Sequence, residues 1–353
     1  MPQRTAASAG CVAQCIIEVG RRSRDRTRGA SQEDAVSTVI WIGEKDRQVL
    51  DILDEAFAAE PRATLVIPAG DSPTDTELAE AEAILNGAGT ISAELMDRAP
   101  KLRIIQRVGA GTDGIDFAAA AARDVLVANL PGANSVAVAE LAMASLLACA
   151  RHLPGLDANT RRGEWTPNEW LDQSYELAGR KAAIIGLGHI GQLLARRMKA
   201  FDMTLAYYDV FRQPEEVERE IGIEYTELAE LLPGADVLSI HVPLTADTRG
   251  MIGAEQLALM SDTAIVLNMS RPGIVDESAL AEALRAGTIA GAGFDVFSGE
   301  PDIAGNPLLD APNVVATPHA GAQTRDTVKR VFTKALANVL TLAEGETPQH
   351  VIG

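Results

Sequence analysis

The sequence predicts an α/β protein built from two doubly wound parallel sheets. Short apolar runs alternate with segments of helical spacing, which is typical of the strands and helices of a parallel sheet. One such unit, Lys181 to Asp209, passes through three glycines between its first strand and its helix. A chain of 353 residues also exceeds the usual size of a single core, so two domains are expected.

The first predicted domain begins after an N-terminal stretch of different composition. Its strands are predicted at Thr38–Gly43, Thr64–Ile67, Ala83–Leu85, Arg103–Arg107 and Val125–Ala128. Helical spacing predicts helices at Glu44–Ala58 and Ser92–Arg98. Residues 1–36 are rich in arginine and poor in acids, and we expect a disordered or cleaved leader. A start codon assigned too far upstream and an organelle transit peptide are the alternatives.

The second predicted domain contains the glycine turn. An apolar stretch from Ser135 to Leu153 predicts one long helix that leaves the first domain. Later strands are predicted at Val237–Ile240, Ala264–Leu267, Ile289–Phe294 and Val314–Thr317. The last helix, Arg325–Ala343, has no place in a completed nucleotide sheet and is expected to return to the first domain. The sequence therefore predicts a Rossmann domain at residues 135–317, inserted in a flavodoxin-like substrate domain of residues 37–134 and 318–353.

The unit from Lys181 to Asp209 has the order strand, glycine turn, helix, strand and acid that binds a dinucleotide. Gly186 permits a tight turn, Gly188 lets the backbone approach a pyrophosphate, and Gly191 allows the helix to pack closely on the strand. Asp209 can accept hydrogen bonds from a ribose 2′-hydroxyl and would repel a 2′-phosphate. We therefore expect NAD as the cofactor, and a glycine turn of purely structural use is the alternative.

Composition and charge argue against several classes of protein. A formal charge of −18 leaves no basic surface for a nucleic-acid partner. The three cysteines indicate neither a disulfide framework nor a metal site, and Cys149 lies in an apolar run where an inert buried thiol is expected. This cysteine usage fits a reducing, cytoplasmic compartment. The nearest candidate for a membrane span, Val136–Ala150, is interrupted by Glu140 and is too short, so no membrane partner is expected.

Three polar residues each follow a predicted strand of the second domain: Arg271, Glu300 and His319. Ligands of open α/β sheets bind outside the carboxyl ends of the strands, so all three are expected at one crevice. An arginine can grip a carboxylate, a histidine can exchange a proton near neutral pH, and a glutamate can fix the tautomer of the imidazole. Together they suit hydride transfer between NAD and a 2-hydroxy acid. Taken singly, each is more typical of a structural or surface role.

A series of motifs supports the same chemistry. They are RVGAGTDGID at Arg107–Asp116, NLPGANSVAVAE at Asn129–Glu140, GLGHIG at Gly186–Gly191, HVPLT at His241–Thr245, NMSRPGIVDE, DVFSGEP and PHAG. With these motifs in this order, the chain from Leu78 onward resembles the D-isomer-specific 2-hydroxyacid dehydrogenase family. In that family the arginine, glutamate and histidine of the last three motifs are catalytic. The resemblance therefore implies that Arg271, Glu300 and His319 are the catalytic residues.

The resemblance also implies contacts that chemistry alone does not predict. Val108 and Gly109 correspond to the family's backbone donors for the substrate carboxylate. Positions that correspond to cofactor contacts are His189, Ile190, Val242, Met269, Asp295 and Gly321. A turn or capping acid is the alternative for Asp295. Two positions depart from the family, since His189 stands where many members have arginine and Pro272 replaces the usual glycine after the catalytic arginine.

The resemblance leaves the substrate open. Arg107 matches an arginine of the family's phosphoglycerate dehydrogenases and suits a phosphate or a second carboxylate, with a strand-end ion pair as the alternative. An activity like that of 3-phosphoglycerate dehydrogenase is one expectation for this D-2-hydroxyacid dehydrogenase. Hydroxypyruvate or glyoxylate reduction is a competing activity, and a non-enzymatic NAD(H)-sensing corepressor is a further alternative. The family usually pairs through its NAD domain. Because the helix Val136–Leu153 and the segment of Trp165 and Trp170 offer excess apolar surface, a homodimer is expected.

Overall fold

The predicted α/β architecture is present. A computed structural model describes residues 37–353, whose strands form two parallel sheets with helices between the strands. The predicted leader at residues 1–36 lies outside the described residues. The described chain divides into two compact units, residues 37–129 with Phe332–Gly353 and Leu130–Val331. The second unit therefore continues past residue 317, where the sequence predicts the boundary, and it includes His319.

The first unit contains a five-stranded sheet in the order β2-β1-β3-β4-β5, a doubly wound order of the flavodoxin type. Its strands are β1 Ser37–Ile42, β2 Ala63–Val66, β3 Ala83–Asn86, β4 Ile104–Arg107 and β5 Leu126–Ala128. Its helices are α1 Arg47–Ala58, α2 Asp75–Ala79, α3 Ala93–Asp97 and α4 Phe117–Ala121. Val39, Ile40, Ile84 and Ile105 are fully buried, because helices cover both faces of a doubly wound sheet.

The second unit contains a seven-stranded sheet in the order β12-β11-β10-β9-β6-β7-β8. Its strands are β6 Lys181–Ile185, β7 Thr204–Tyr208, β8 Ile223–Tyr225, β9 Val237–Ile240, β10 Ile265–Asn268, β11 Gly291–Phe294 and β12 Val314–Ala316. Its helices are α5 Ser135–Ala150, α6 Leu153–Arg161, α7 His189–Lys199, α8 Glu215–Ile221, α9 Leu228–Leu231, α10 Ala254–Leu257 and α11 Glu277–Ala286. The strand order reverses between β6 and β9, which is where Rossmann sheets bind their ligands. The last helix, α12 Arg325–Ala343, contains the boundary between the units at Val331.

The prediction of one long helix from Ser135 to Leu153 is wrong at its C-terminal end. α5 ends at Ala150, and α6 begins at Leu153 with a bend of 66° between them. His152 has a left-handed φ of 47°, which ends α5, and a proline in the first turn of α6 suits a helix start. No single helix of residues 37–353 is long and apolar enough to span a membrane, and α5 and α6 meet that test only when taken together.

Most of α5 is core rather than surface. Val138, Met143, Leu146 and Cys149 are buried in the same apolar cluster as β6, α7 and β7. Cys149 is a free thiol that donates to Ala292 O at 3.3 Å, and burial raises its pKa to about 12. It therefore stays protonated, as expected for a structural thiol.

Candidate active site

The three glycines after β6 each occupy a position that a side chain would change. Gly186 has φ of +91°, and a Cβ there would lie 2.8 Å from the backbone carbonyl of His241. A Cβ on Gly191 would lie 2.2 Å from Gly186 O, so the helix can pack this closely only on glycine. At Gly188 a Cβ would meet no atom of the described chain within 4 Å. The turn is therefore tight on its inner side and open on its outer side, as a pyrophosphate site requires.

The first turn of α7 completes this cradle. Gly188 is the N-cap residue, and no side chain of residues 37–353 caps the helix. The first N–H groups and the positive dipole end are thus available to an anion. His189 is exposed, and a Cβ on Gly132 would lie 2.9 Å from its ring, while Ile190 packs against the core. These features fit the phosphates of a dinucleotide.

Asp209 lies at the end of β7, beside the glycine turn. Its Oδ2 accepts the N–H of Leu187 at 2.8 Å, and its Oδ1 accepts the N–H of Phe211 at 3.2 Å. The carboxylate is therefore held against the turn by a residue between the first two glycines. This position suits the predicted contact with a ribose hydroxyl.

His241 follows β9 at the switch point of the sheet. Its Nε2 lies 2.8 Å from Ser239 Oγ, whereas its Nδ1 is closed to solvent and has no hydrogen-bond partner among the described residues. Burial lowers the pKa of His241 to about 4, so the ring is neutral at physiological pH. Val242 O accepts the hydroxyl of Ser270, and Met269 is buried in the core next to these loops.

The three predicted catalytic residues follow the carboxyl ends of neighbouring strands: Arg271 after β10, Glu300 after β11 and His319 after β12. His319 Nδ1 lies 2.9 Å from Glu300 Oε1. An ionised carboxylate only accepts hydrogen bonds, so the proton lies on Nδ1 and Nε2 is left for another partner. The His319 side chain is 54% exposed, which leaves it accessible to a ligand.

The other two side chains are oriented by backbone contacts. Glu300 Oε2 accepts the N–H of Phe297 at 3.1 Å. Arg271 Nη1 donates to Ser270 O at 2.8 Å, and Asn268 fixes the backbone of the same loop by donating to Arg271 O at 3.0 Å. The structure therefore joins Glu300 to His319 directly and positions Arg271 on the adjacent strand end.

Asp295 organises the loop that carries His319. The residue is 2% exposed, and its carboxylate accepts hydrogen bonds from Thr317 Oγ1 at 2.6 Å, Ala320 N at 2.7 Å and Gly321 N at 2.8 Å. Its own carbonyl accepts the N–H of His319 at 2.8 Å. His319 has a left-handed φ of 52°, and these bonds stabilise that conformation. The carboxylate of Asp295 thus bonds to a loop more than twenty residues away along the chain, and a Cβ on Gly321 would lie 2.9 Å from its Oδ2.

The comparison with known proteins agrees with this geometry. The model of the NAD binding domain of the D-isomer specific 2-hydroxyacid dehydrogenases matches residues 143–321. This chain belongs to that family. The match includes the glycine turn and the segments of all three predicted catalytic residues.

Relatives within the family have two different activities. The D-3-phosphoglycerate dehydrogenase of Methanocaldococcus jannaschii is 40% identical over 278 residues, which are 78% of this chain and 52% of that protein. The glyoxylate reductase of Korarchaeum cryptofilum is 42% identical over 264 residues, which are 74% of this chain and 79% of that protein. The chain thus spans about half the length of the first relative and most of the second.

A solved structure extends the likeness to the fold of both units. The D-lactate dehydrogenase of Lactobacillus jensenii, crystallised with NAD+, matches with a TM-score of 0.77 at 26% identity. The match covers 90% of this chain and 99% of that protein. The two parallel sheets are therefore the fold of the D-2-hydroxyacid dehydrogenases.

Sequence reasoning missed Glu277, which holds the loop that follows β11. Glu277 is 6% exposed, and its Oε1 accepts the N–H and the hydroxyl of Ser298 at 2.9 and 2.8 Å. Its Oε2 accepts the side-chain amide of Asn306. Ser298 and Asn306 flank Glu300, so Glu277 anchors both ends of that loop. An Asp-Glu pair at a helix start is typical of capping, and only Asp276 caps α11.

The predicted substrate loop lies in the first unit, after β4. Val108 donates its N–H to Asn86 O at 2.9 Å, so this donor is used within the sheet. The N–H of Gly109 has no hydrogen-bond partner in the described part of the chain. Arg107 donates to Gly111 O at 2.7 Å and to Asn86 O at 2.8 Å. In this family member Arg107 therefore shapes the loop, and Gly109 is the residue that offers a donor.

Proposed function

We propose that the protein is an NAD-dependent oxidoreductase that interconverts a D-2-hydroxy acid and its 2-oxo acid. The observation that carries the proposal is the 2.9 Å contact between His319 and Glu300, at the carboxyl edge of the same sheet that holds the glycine turn. A histidine paired with an acid at this edge supplies the proton transfer that such a reaction needs. The family's relatives with dehydrogenase and reductase activities support it.

The proposed catalytic residues have different tasks. His319 gives its Nε2 proton to the carbonyl oxygen during reduction and takes it back from the hydroxyl during oxidation. Glu300 keeps the Nδ1 proton in place and stabilises the charged imidazole. Arg271 holds the substrate carboxylate with its planar guanidinium. Bound NAD(H) supplies or accepts the hydride at C2.

Replacing His319 with alanine tests this proposal. We expect kcat to fall by about 10³, the range for loss of a general acid or base, while the Kd for NADH stays unchanged. His350→Asn is the control, because His350 is an exposed histidine of the other unit and should leave kcat unaltered. Near-normal turnover of His319→Ala would contradict the proton-transfer role. Tight NADH binding with no turnover of any 2-oxo or 2-hydroxy acid would instead favour an NAD(H)-sensing protein.

For the substrate, we propose a small 2-oxo acid such as glyoxylate or hydroxypyruvate. The contacts of Arg107 with the carbonyl oxygens of Gly111 and Asn86 support this, because they commit its Nε and Nη1 to the backbone. The second candidate is 3-phosphohydroxypyruvate, which the phosphoglycerate dehydrogenase relative favours. A screen of NADH oxidation with glyoxylate, hydroxypyruvate, pyruvate and 3-phosphohydroxypyruvate distinguishes them. A kcat/KM highest for the phosphorylated acid would contradict the first choice.

We also propose a homodimer formed through the nucleotide unit. The support is a set of exposed apolar side chains close together in sequence, with Leu153 at 56%, Trp165 at 86% and Leu171 at 67% exposure. Sedimentation velocity at micromolar concentration should give a dimer for the wild type and a monomer for Trp165→Ser. Leu309→Ser removes another exposed leucine and should leave the dimer intact. A monomeric wild type would contradict the proposal.

The cytoplasmic location is part of the same proposal. The support is the free, buried thiol of Cys149, which fits a reducing compartment. A protein lacking residues 1–34 should retain folding and activity, and a fluorescent reporter fused to residues 1–36 should stay in the cytosol. Import of that reporter into an organelle would contradict the location.

A further inference from the structure

The loop after Asp209 borders the part of the site proposed for the cofactor ribose. Asp209 accepts N–H groups from both Leu187 of the glycine turn and Phe211 of this loop. On the other side, Gln192 Nε2 donates to Leu187 O at 3.2 Å and lies 3.4 Å from Gln213 Oε1. Residues 210–213 are therefore tied to the glycine turn at both ends, and Arg212 lies on this segment.

Arg212 is held by an acid of α8. Its Nε and Nη2 donate to the two carboxylate oxygens of Glu218 at 2.9 and 2.8 Å. Glu218 is nearly buried and also accepts the hydroxyl of Tyr207 at 2.7 Å. The guanidinium carbon lies 5.3 Å from the centre of the Tyr225 ring. The arginine is thus fixed by a bidentate ion pair and an aromatic face.

This arrangement bears on the choice between NAD and NADP. The two cofactors differ by a 2′-phosphate, and a nearby arginine is the usual means by which a Rossmann site accommodates it. A planar guanidinium binds a phosphate and a carboxylate in the same bidentate way, so the Nε–Nη2 edge that Glu218 occupies is closed to a phosphate, and the carboxylate also neutralises the charge of Arg212. Arg212 holds the pKa of Glu218 below its usual value, so the acid is ionised and competes as an anion.

We propose that Glu218 is a determinant of cofactor selectivity, because it binds Arg212 and so withholds this cation from a 2′-phosphate. The inference rests on the proposed binding of NAD at the glycine turn. Asp209 excludes the phosphate by direct repulsion, and Glu218 removes the group that would compensate for it. The loop thus contains a latent phosphate site.

Glu218→Gln is the main test. Glutamine keeps an acceptor for Tyr207 and removes the charge that holds Arg212. Equilibrium titrations that follow cofactor binding, without any substrate, should show the Kd for NADPH falling about tenfold and the Kd for NADH changing less than twofold. The gain should be larger in the background Asp209→Ser, where direct repulsion is absent, and it should shrink as salt rises.

Two matched variants separate this effect from a general change of charge. Glu216→Gln removes an equal charge from the same helix, but Glu216 is 79% exposed and pairs with Arg219, so NADPH affinity should not change. In the double variant Arg212→Ala with Glu218→Gln, the gain should disappear. Glu218→Asp serves as the test if the glutamine variant folds poorly. It shortens the acid by one methylene and breaks the bidentate geometry, so the gain in NADPH affinity should be smaller than in Glu218→Gln.

Several outcomes would overturn the inference. They are a wild type that binds NADPH as tightly as NADH, an unchanged NADPH affinity in Glu218→Gln, and a gain that survives the loss of Arg212. Because binding is measured without turnover, these results are independent of catalysis. A protein that reduced no 2-oxo acid would refute the proposed function and still leave the NADPH to NADH ratio to decide this inference.

Discussion

The two halves of the seven-stranded sheet build their sites by different means. Around β6 and β7 the backbone forms the site, through Gly186, Gly188 and the exposed N–H groups at the start of α7. At β10 to β12, side chains from three separate loops form the proposed site, and the buried acids Asp295 and Glu277 hold two of those loops. The backbone site requires that no side chain fill the space at the glycine turn, whereas the side-chain site requires hydrogen bonds from residues distant in sequence. The two halves should therefore fail differently when mutated.

The largest effect is expected at Gly191. In Gly191→Val the Cβ would lie 2.2 Å from Gly186 O, and a backbone atom cannot move aside cheaply. We expect a loss of at least roughly 3 kcal/mol of stability and a thermal midpoint lower by about 5 °C or more. The matched control is Gly188→Ala, whose Cβ meets nothing in the described chain within 4 Å. Gly188→Ala should keep the thermal midpoint of the wild type and weaken NADH binding. Equal thermal midpoints for the two variants would contradict the close packing at Gly191.

The next effect is expected at Asp295, where a side chain does the anchoring. In Asp295→Asn one of the two acceptor oxygens becomes an amide NH2 group, a donor that faces the N–H of Gly321 or Ala320. The loop of His319 should shift, and we expect kcat to fall about 10²-fold with folding retained. Thr317→Val removes only one of the three donors and should lower kcat by roughly threefold. A normal kcat in Asp295→Asn would show that the carboxylate does not position His319.

The same difference explains what the sequence could predict. The glycine turn, its helix and Asp209 lie in one short unit whose residue types and spacing follow from local geometry, so the fold class and the dinucleotide motif could be predicted. The contact between His319 and Glu300 could also be anticipated, because strand ends meet at one edge of a parallel sheet. Both features were predictable because they follow from residues close together in sequence or from the order of the strands in the sheet.

The remaining features depend on tertiary contacts that spacing does not reveal. Glu277 bonds to Ser298 and Asn306, which lie more than twenty residues away. His152 interrupts an apolar stretch whose helical pattern continues, and its left-handed φ is visible only in the structure. Arg107 matches a substrate contact of the family in sequence, and only the structure shows that its guanidinium also donates to the carbonyl oxygens of Gly111 and Asn86. No local sequence pattern distinguishes these contacts from the more common roles of a helix-capping acid, a helical histidine or a ligand-binding arginine.

A third prediction concerns His241, which follows β9 and whose Nδ1 is closed to solvent. Its pKa is near 6.5 when unfolded and about 4 when folded, so the unfolded chain takes up the proton first as pH falls. Stability from the neutral ring is complete above pH 6.5 and is lost between pH 6.5 and 4. At pH 5 the loss is about 2 kcal/mol. His241→Gln keeps an acceptor for Ser239 and does not titrate in this range. Between pH 7 and 5 its free energy of unfolding, measured by chemical unfolding, should fall by about 2 kcal/mol less than that of the wild type. Equal losses would contradict burial of a neutral ring.

The smallest effect is expected at Glu277, which touches neither proposed reactant. Glu277→Ala leaves the N–H and hydroxyl of Ser298 and the amide of Asn306 without their acceptor, so the loop that carries Glu300 loosens. We expect kcat to fall about tenfold while the Kd for NADH is unchanged, because the glycine turn is untouched. Glu277→Gln retains one acceptor oxygen, so its kcat should lie between those of Glu277→Ala and the wild type.

Asp276→Asn separates loop anchoring from helix capping. Asp276 precedes Glu277, is exposed and caps α11 through Ser278 N and Ala279 N, both at 3.0 Å. Its replacement should lower thermal stability slightly and leave kcat unchanged. If Asp276→Asn reduced kcat as much as Glu277→Ala, the effect would belong to α11 as a whole. The half that carries Glu300 and His319 would then depend on its helices, as the half with the glycine turn depends on α7, and the distinction between the two halves would fail.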